Sequence, residues 1–340
     1  MSITVVHTLP EQEWRRLVDE QPGGNIFHTP EMFRVFARTK GHRPTLWAAV
    51  DDRDGDNRPL ALLLPVHITL MDGLFRRFTT RAIAYGGVLC AASPEGEKAL
   101  AMLLQSYKRE AKGSALFTEL RNLSDISLLQ SALNGNGFVY AGHLNYLVDL
   151  DRPSEAVLQS IGQRTRKKIR HALRQGKVIV EECSRQEQVE ICYQLLQKTY
   201  AAARVPLADW SLFEAAFDIL YPQGMVKFLL ARIDDDYAAG SVELIYKKTI
   251  YGWYGGMDRA YSDYIPNELL LWHIFQWGAE NGYKVYDFGG AGKPDEEYGV
   301  RDFKAKFGGD LVCYGRNTHV PSPALMRLSQ WAYATYRKFL

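Results

Sequence analysis

The sequence predicts an α/β (α+β) chain of two consecutive domains built on mixed sheets, and three observations carry that expectation. Its 340 residues exceed the roughly 250–300 at which one hydrophobic core usually divides. Both halves run through the same order of elements: strand, two helices, three strands, helix, strand, helix and strand. The three central strands of each half are joined by short turns, which makes neighbours antiparallel and the sheets mixed. The halves share element order without residue-level identity. The expected boundaries are 1–150, 151–320 and a terminal helix over 321–340.

In the first half, residues 3–7 read as a short strand. Pro10 and Glu11 open a helix to about residue 19, proline suiting a first turn. A second helix follows Thr29-Pro30 and carries Met32, Phe33, Val35 and Phe36. Apolar runs over 46–50 and 60–69 flank the charged, glycine-bearing spacer 51–57, a long hairpin signal. A strand over 82–89 contains Gly86-Gly87. Then come a helix over 95–111, a strand over 115–120, a helix over 125–133, and strands at 138 and 144–150.

In the second half, helices over 154–161 and 164–175 precede a strand over 178–182. Helices over 186–203 and 210–220 follow, then strands over 226–233, 238–246 and 249–257. A long helix over 265–280 leads to a strand over 285–288, a short helix over 300–306 and a last strand over 311–316. The tail sets Leu325, Leu328, Ala332, Tyr336 and Phe339 at helical spacing. Such a face packs back on its own domain or lies on an anionic membrane.

Composition narrows the function classes. With 46% hydrophobic and 24% charged residues the chain is an ordinary globular one, and a net charge of +2 asks for no polyanionic partner overall. Any basic partner site must be local. Cys90, Cys183, Cys192 and Cys313 show neither CxxC nor zinc-ligand spacing. With no apolar leader after Met1, they read as free thiols in a reducing cytoplasm. The aliphatic run over 60–64 stops at Pro65, far short of the ~20 apolar residues of a membrane span. The expectation is a cytoplasmic protein using no metal and no cofactor.

The stretch over 286–316 combines glycine pairs, an acidic turn and the segment Phe303-Lys304-Ala305-Lys306-Phe307. Glycines beside a strand let the backbone turn sharply or approach another molecule, and here aromatic faces and cations lie beside them. Residues 164–177 hold seven Lys/Arg and no acid in fourteen positions. On a helix, Arg166, Arg170 and Arg174 form one ridge with Arg164, Lys167 and Lys168 on its flank. That pattern fits a solvated face or a phosphate-bearing partner such as RNA, a nucleotide sugar or a lipid pyrophosphate. The strand over 249–257, TIYGWYGGM, places Tyr254 among glycines that mark a bulge or a close ligand approach. The turn over 258–264 has Tyr261 and Tyr264 and no glycine, so it gives no positive support for a pyrophosphate cradle. No HExxH, GxSxG or paired metal ligands occur.

The segments YDFGGAG and YGVRDFKAKFGG, the basic helix TRKKIRHALRQG and the doubled element order together resemble the FemAB/FemX aminoacyltransferases. FHTPEMFRVF and AYGGVL match that family's general pattern in the first half. The resemblance implies two tandem acetyltransferase-fold (GNAT) domains of the shorter, FemX type. It also implies transfer of an amino acid from aminoacyl-tRNA to an amine of a UDP-linked or lipid-linked peptidoglycan precursor, with peripheral contact at the inner membrane face. By position, Phe303 and Lys304 match the family's catalytic Phe-Lys pair, associated with the tRNA 3′ end and the transfer step. Lys40 lies near a lysine that contacts the acceptor's phosphates. Arg166, Lys167, Arg170, Tyr254 and Tyr298 complete the expected substrate-binding set. Where FemX-like members carry an acceptor-binding arginine, residues 207–210 have none, and the family's acidic residue in the strand near 119 is represented by Glu119 or Arg121. Two other readings stay open: an acyl-coenzyme A N-acyltransferase acting on an amino sugar or peptide amine, and a non-catalytic module that binds an anionic glycan or precursor.

Overall fold

The computed structural model describes residues 3–52, 58–69, 73 and 76–336. Most of the charged spacer, 53–57, and Phe339 of the terminal face lie outside them. The chain forms two compact units, Met1–Gly142 with Tyr314–Leu340, and His143–Cys313. The expected boundaries at 150 and 320 are therefore displaced, and strand pairing gives the reason. The strand Asn145–Asp149 pairs on both sides within the second unit, with Val285–Asp287 and Asp310–Val312. The strand Arg316–His319 pairs with Thr118–Asn122 and Val139–Ala141 of the first.

The first unit holds two sheets. One is antiparallel, in the order Ile3–Val6, Trp47–Asp51, Arg58–Leu63, Val88–Cys90. The other runs His42–Pro44, Val66–Thr69, Thr80–Gly86, Thr118–Asn122, Arg316–His319, Val139–Ala141. Two apolar runs expected as single strands are each divided between these sheets. The run over 60–69 breaks at Pro65, which has no N–H to give a ladder. The run over 82–89 breaks at Gly86 and Gly87, at φ +84° and +80°. The crossover helix Pro94–Glu110 starts on Ser93, whose hydroxyl accepts from Gly96 N at 3.1 Å. It buries Ala99, Leu100, Leu103, Leu104 and Tyr107, a helical stripe, in a core with Trp47, Ala84 and Leu120.

The second unit is one seven-stranded sheet, ordered Val178–Glu182, Val226–Ile233, Asp236–Tyr246, Thr249–Met257, Val285–Asp287, Asn145–Asp149, Asp310–Val312. Its neighbours are antiparallel except Thr249–Met257 with Val285–Asp287. Those two parallel strands are joined by the helix Pro266–Glu280, as a parallel pair requires. The helix buries Leu269, Leu270, Trp272, Ile274 and Phe275 in a core with Tyr286, Phe288 and Phe307. The helix Gln186–Ala203 packs so closely on the sheet that a Cβ at Gly240 would lie 2.7 Å from Cys192 Sγ. The last strand, expected as one over 311–316, is two short ones separated at Gly315, which has φ +68°.

The terminal helix Pro323–Tyr336 is held to the first unit by Ser329, whose hydroxyl donates to Phe78 O at 2.8 Å. It leaves Leu328 and Trp331 exposed. Among the described residues no helix is long and apolar enough to cross a membrane.

Candidate active site

The parallel pair in the second unit runs for only three registers, Thr249↔Val285, Ile250↔Tyr286 and Tyr251↔Asp287. Beyond them one strand continues along its antiparallel neighbour. The other turns away through Gly289, Gly290 and Gly292, all in the left-handed region at φ +76°, +121° and +78°. A side chain at Gly289 is also excluded by space, since its Cβ would sit 2.8 Å from Gly252 O. A bulge widens the fork: Val242 faces Tyr254 but Glu243 faces Gly252, so Trp253 is the extra residue. The resulting cavity has a volume of about 420 Å³, within the usual range of small-ligand sites.

Lys304 reaches this cavity from the short helix Gly299–Ala305. Its ammonium donates to Phe288 O at 2.5 Å and Gly290 O at 2.6 Å, so it fastens both ends of the glycine turn. Burial lowers its pKa to about 8, against the opposing attraction of Asp287. Asp287, itself buried, accepts from Asn145 Nδ2 and from Gly289 N, both at 2.7 Å. Asn145 Oδ1 takes the Gly290 N–H at 2.8 Å. Arg301 adds a further tie, with Nε on Ala291 O at 2.8 Å. The turn is thus preorganised by side chains from two strands and a helix.

Three more of the expected residues line the same cavity: Phe303, Tyr254 and Tyr298. Phe303 is half-buried and meets Phe307 edge-on at 5.3 Å. Tyr254 packs edge-on against Phe213 at 4.8 Å. Tyr298 is exposed and covers Gly292, where a Cβ would meet its ring at 2.9 Å.

The remaining expected residues are not part of that lining. Arg166, Lys167 and Arg170 lie on the helix Gln163–Gln175 of the same unit. The ridge was expected to lack compensating groups, and two of its arginines have them. Arg166 Nη1 donates to Gln159 O and to Ile161 O, closing the last turn of the helix Ser154–Ser160. Arg170 pairs with Glu155 of that helix. The acid missing from residues 164–177 comes from the preceding helix, Ser154–Ser160. Lys167, Lys168 and Arg174 are exposed. Lys40 is exposed in the turn after the helix Pro30–Arg38, in the first unit.

Sequence reasoning missed Glu243, Tyr286 and Asn145. Glu243 lines the cavity yet is only 1% exposed. The Tyr286 hydroxyl donates to its Oε2 at 3.1 Å. Burial pushes the carboxyl up to about 7, against smaller lowering effects of the Ser241 and Tyr286 hydroxyls. The available signal was a lone acid in the apolar strand SVELIY. Among the described residues there is no cluster of three or more His, Cys, Asp or Glu that could hold a metal ion.

Residues 160–304, which span the fork, match the acetyltransferase (GNAT) domain family. A lipid II:glycine glycyltransferase of Staphylococcus saprophyticus is 21% identical over 230 residues, covering 48% of this chain and 55% of that protein. The chain thus spans about half the length of that curated relative. The Staphylococcus aureus protein of the same name is 21% identical over 391 residues, covering 88% of this chain and 89% of its own. The crystal structure of FemX superposes with a TM-score of 0.73 at 18% identity, covering 97% of this chain and 99% of its own. A tandem GNAT protein from the clavulanic acid pathway gives 0.56 at 10% identity, over 95% and 100%. The two units are thus tandem GNAT-type folds, and the chain is similar in sequence to the staphylococcal lipid II:glycine glycyltransferases and in fold to FemX.

Proposed function

We propose that this protein is an aminoacyltransferase that moves an amino acid from aminoacyl-tRNA to an amine of a UDP-linked or lipid-linked peptidoglycan precursor. The observation that carries the reading is the Lys304 ammonium at the mouth of the forked strands, fixed by Phe288 O and Gly290 O. A cation held rigidly beside a cavity offsets negative charge on a tetrahedral oxyanion or on a leaving oxygen, without reorganising during the reaction. Phe303 gives the terminal nucleotide a flat contact, and Tyr254 and Tyr298 line the path of the acyl chain. Lys167, with Lys168 and Arg174 beside it, draws the phosphates of the donor. Arg166 and Arg170 support that face by anchoring the helix. Lys40 serves the acceptor's phosphates. The names of the staphylococcal relatives support the acceptor, and exposed Leu328 and Trp331 suit contact at the inner membrane face.

A second reading, an N-acyltransferase using a coenzyme A thioester, is favoured by the family match over residues 160–304. Against it, the turn before the helix Pro266–Glu280 is filled by the 3-10 helix Arg259–Tyr264. A diphosphate is usually cradled by open backbone amides at such a place. The test is a single-turnover incubation of the protein with mixed charged tRNAs and a UDP-linked muramyl pentapeptide, read by mass. A precursor heavier by one amino acid is expected. Acylation from a coenzyme A thioester alone would establish the second reading instead.

A further inference from the structure

The structure brings several acids into buried or half-buried positions, and one differs from the rest. Glu31 is 1% exposed but bridged by Arg15 at 2.5 Å and Arg34 at 2.9 Å. Glu119 is held by Arg121 at 2.8 Å and Arg316 at 3.2 Å. Asp287 takes two hydrogen bonds and feels the Lys304 charge. Glu31 and Glu119 thus each have two guanidinium partners, and Asp287 has two hydrogen-bond donors. Glu243 makes no ion pair among the described residues, faces a cavity, and is held by a tyrosine hydroxyl.

We propose that Glu243 accepts the proton of the attacking amine, with Tyr286 as its positioning residue. This rests on the transferase reading above. Geometry places it for the task. The bulge at Trp253 sets Glu243 opposite Gly252, which has no side chain to cover the carboxyl. A Cβ there would lie 2.4 Å from the Tyr286 hydroxyl, so the glycine also keeps room for that partner.

The groups around Glu243 leave its charge uncompensated. Ser241 lies on its own strand, and Lys227 stands in register on the next. The Lys227 ammonium is engaged by Glu182 and lies 4.3 Å over the Trp277 ring. Cys192 approaches from the helix Gln186–Ala203, its thiol kept protonated by burial. The helix Pro266–Glu280 contributes only Asn267, Leu270 and Leu271 to the cavity wall. Tyr286 and Asp287 come from the strand Val285–Asp287, one beyond Thr249–Met257, and Lys304, from the short helix Gly299–Ala305, already holds two carbonyls. Water exclusion is what raises such a carboxyl toward neutrality, where a general base works best.

The step balances without a further reactant. The amine nitrogen attacks the ester carbonyl carbon, a C–N bond forms, and the nitrogen's proton passes to the Glu243 carboxylate. The C–O bond to the donor then breaks, and Glu243 returns the same proton to the leaving oxygen. The products are an amide and a free hydroxyl.

The test uses the full chain with charged tRNA and the UDP-linked pentapeptide, and in a parallel arm an acyl-coenzyme A thioester. Single-turnover rates are measured from pH 5.5 to 9 for wild type, Glu243→Gln, Glu243→Asp and Tyr286→Phe, with thermal melts confirming that each is folded. Glu243→Gln is expected to lose roughly a hundredfold in kcat with little change in KM, and to lose the acid limb of the profile. Glu243→Asp should recover part of the rate. Tyr286→Phe should move the acid limb to higher pH, because that hydroxyl favours the anion. A folded Glu243→Gln with the wild-type rate and profile overturns the assignment while leaving the transferase reading intact. Wild type inactive with both donors overturns both.

Discussion

Asn145 and Asp287, 142 residues apart in sequence, share a buried 2.7 Å hydrogen bond, and the same Asn145 side chain accepts the Gly290 N–H. One amide thus sets both the carboxylate that faces Lys304 and the turn that Lys304 fastens. Asn145→Ala removes the donor from a buried acid and leaves the Gly290 amide without its acceptor. Each such loss costs about 1–3 kcal/mol. A drop in melting temperature together with loss of transfer is expected. Unchanged activity would show that the turn needs no side-chain anchor.

Lys304→Ala should leave a folded protein that has lost transfer. Removing one preorganised electrostatic group of this kind costs on the order of 10²–10³ in kcat. Single-turnover kinetics at saturating donor would reveal it, and a rate close to wild type would remove Lys304 from the chemistry. Because the ammonium loses its proton near pH 8, wild-type rates should also decline above that pH. With Glu243 needed as the anion above about 7, the profile should be a narrow bell.

Glu243→Gln should make the protein more stable at alkaline pH while it slows transfer. The carboxyl has a folded value of about 7, well above its unfolded one, so the native state binds the extra proton between those values. Wild-type stability therefore falls as pH rises from about 4.5 to 7. The glutamine variant lacks that slope, and at pH 8 the gain is on the order of 3 kcal/mol, from 1.36 kcal/mol per pKa unit. Urea melts at pH 5 and pH 8 check it. Parallel curves for the two proteins would mean that Glu243 does not titrate on folding.

Gly252→Ala adds a single carbon, yet that carbon would lie 2.4 Å from the Tyr286 hydroxyl. The ring, fully enclosed by Phe275 and Phe288, cannot retreat freely, and overpacking of this type costs about 1–3 kcal/mol. Transfer should fall with stability. A crystal structure of the variant with Tyr286 still on Glu243 would contradict the account.

Lys167→Glu combined with Lys168→Glu should weaken donor binding without lowering the melting temperature, since both side chains are exposed. Binding of labelled tRNA at several salt concentrations would show a shallower salt dependence. Arg170→Ala, which loses only an exposed pair with Glu155, should change stability by less than about 1 kcal/mol.

Most of the second unit was legible in the sequence, for physical reasons. Helices such as Gln186–Ala203 and Trp210–Leu220, and strands such as Val226–Ile233 and Thr249–Met257, have the bounds their apolar periodicity indicated. Local pattern does not say which sheet a strand joins. The runs split at Pro65 and at Gly86-Gly87 look continuous in one dimension and separate only when their partners are known. In the site, Lys304 and Phe303 were marked by the company of glycines, cations and aromatics. Glu243 was not, because an acid in a strand signals exposure, and its burial shows only once the neighbouring strands and Tyr286 are packed beside it. The basic helix misled for the opposite reason: Glu155 lies outside the run that appeared uncompensated.

The strand Arg316–His319 is sandwiched between two others from the opening portion of the chain, while Asn145–Asp149 fills an interior slot among later ones. The second unit is therefore one continuous stretch inserted into the first, whose chain resumes at residue 314 to supply an inside strand. Cutting at residue 150 would strip both sheets of an inside member and expose fresh hydrogen-bonding borders, the kind that recruit other chains into aggregates. Separating the two units takes a cut on each side of residues 143–313.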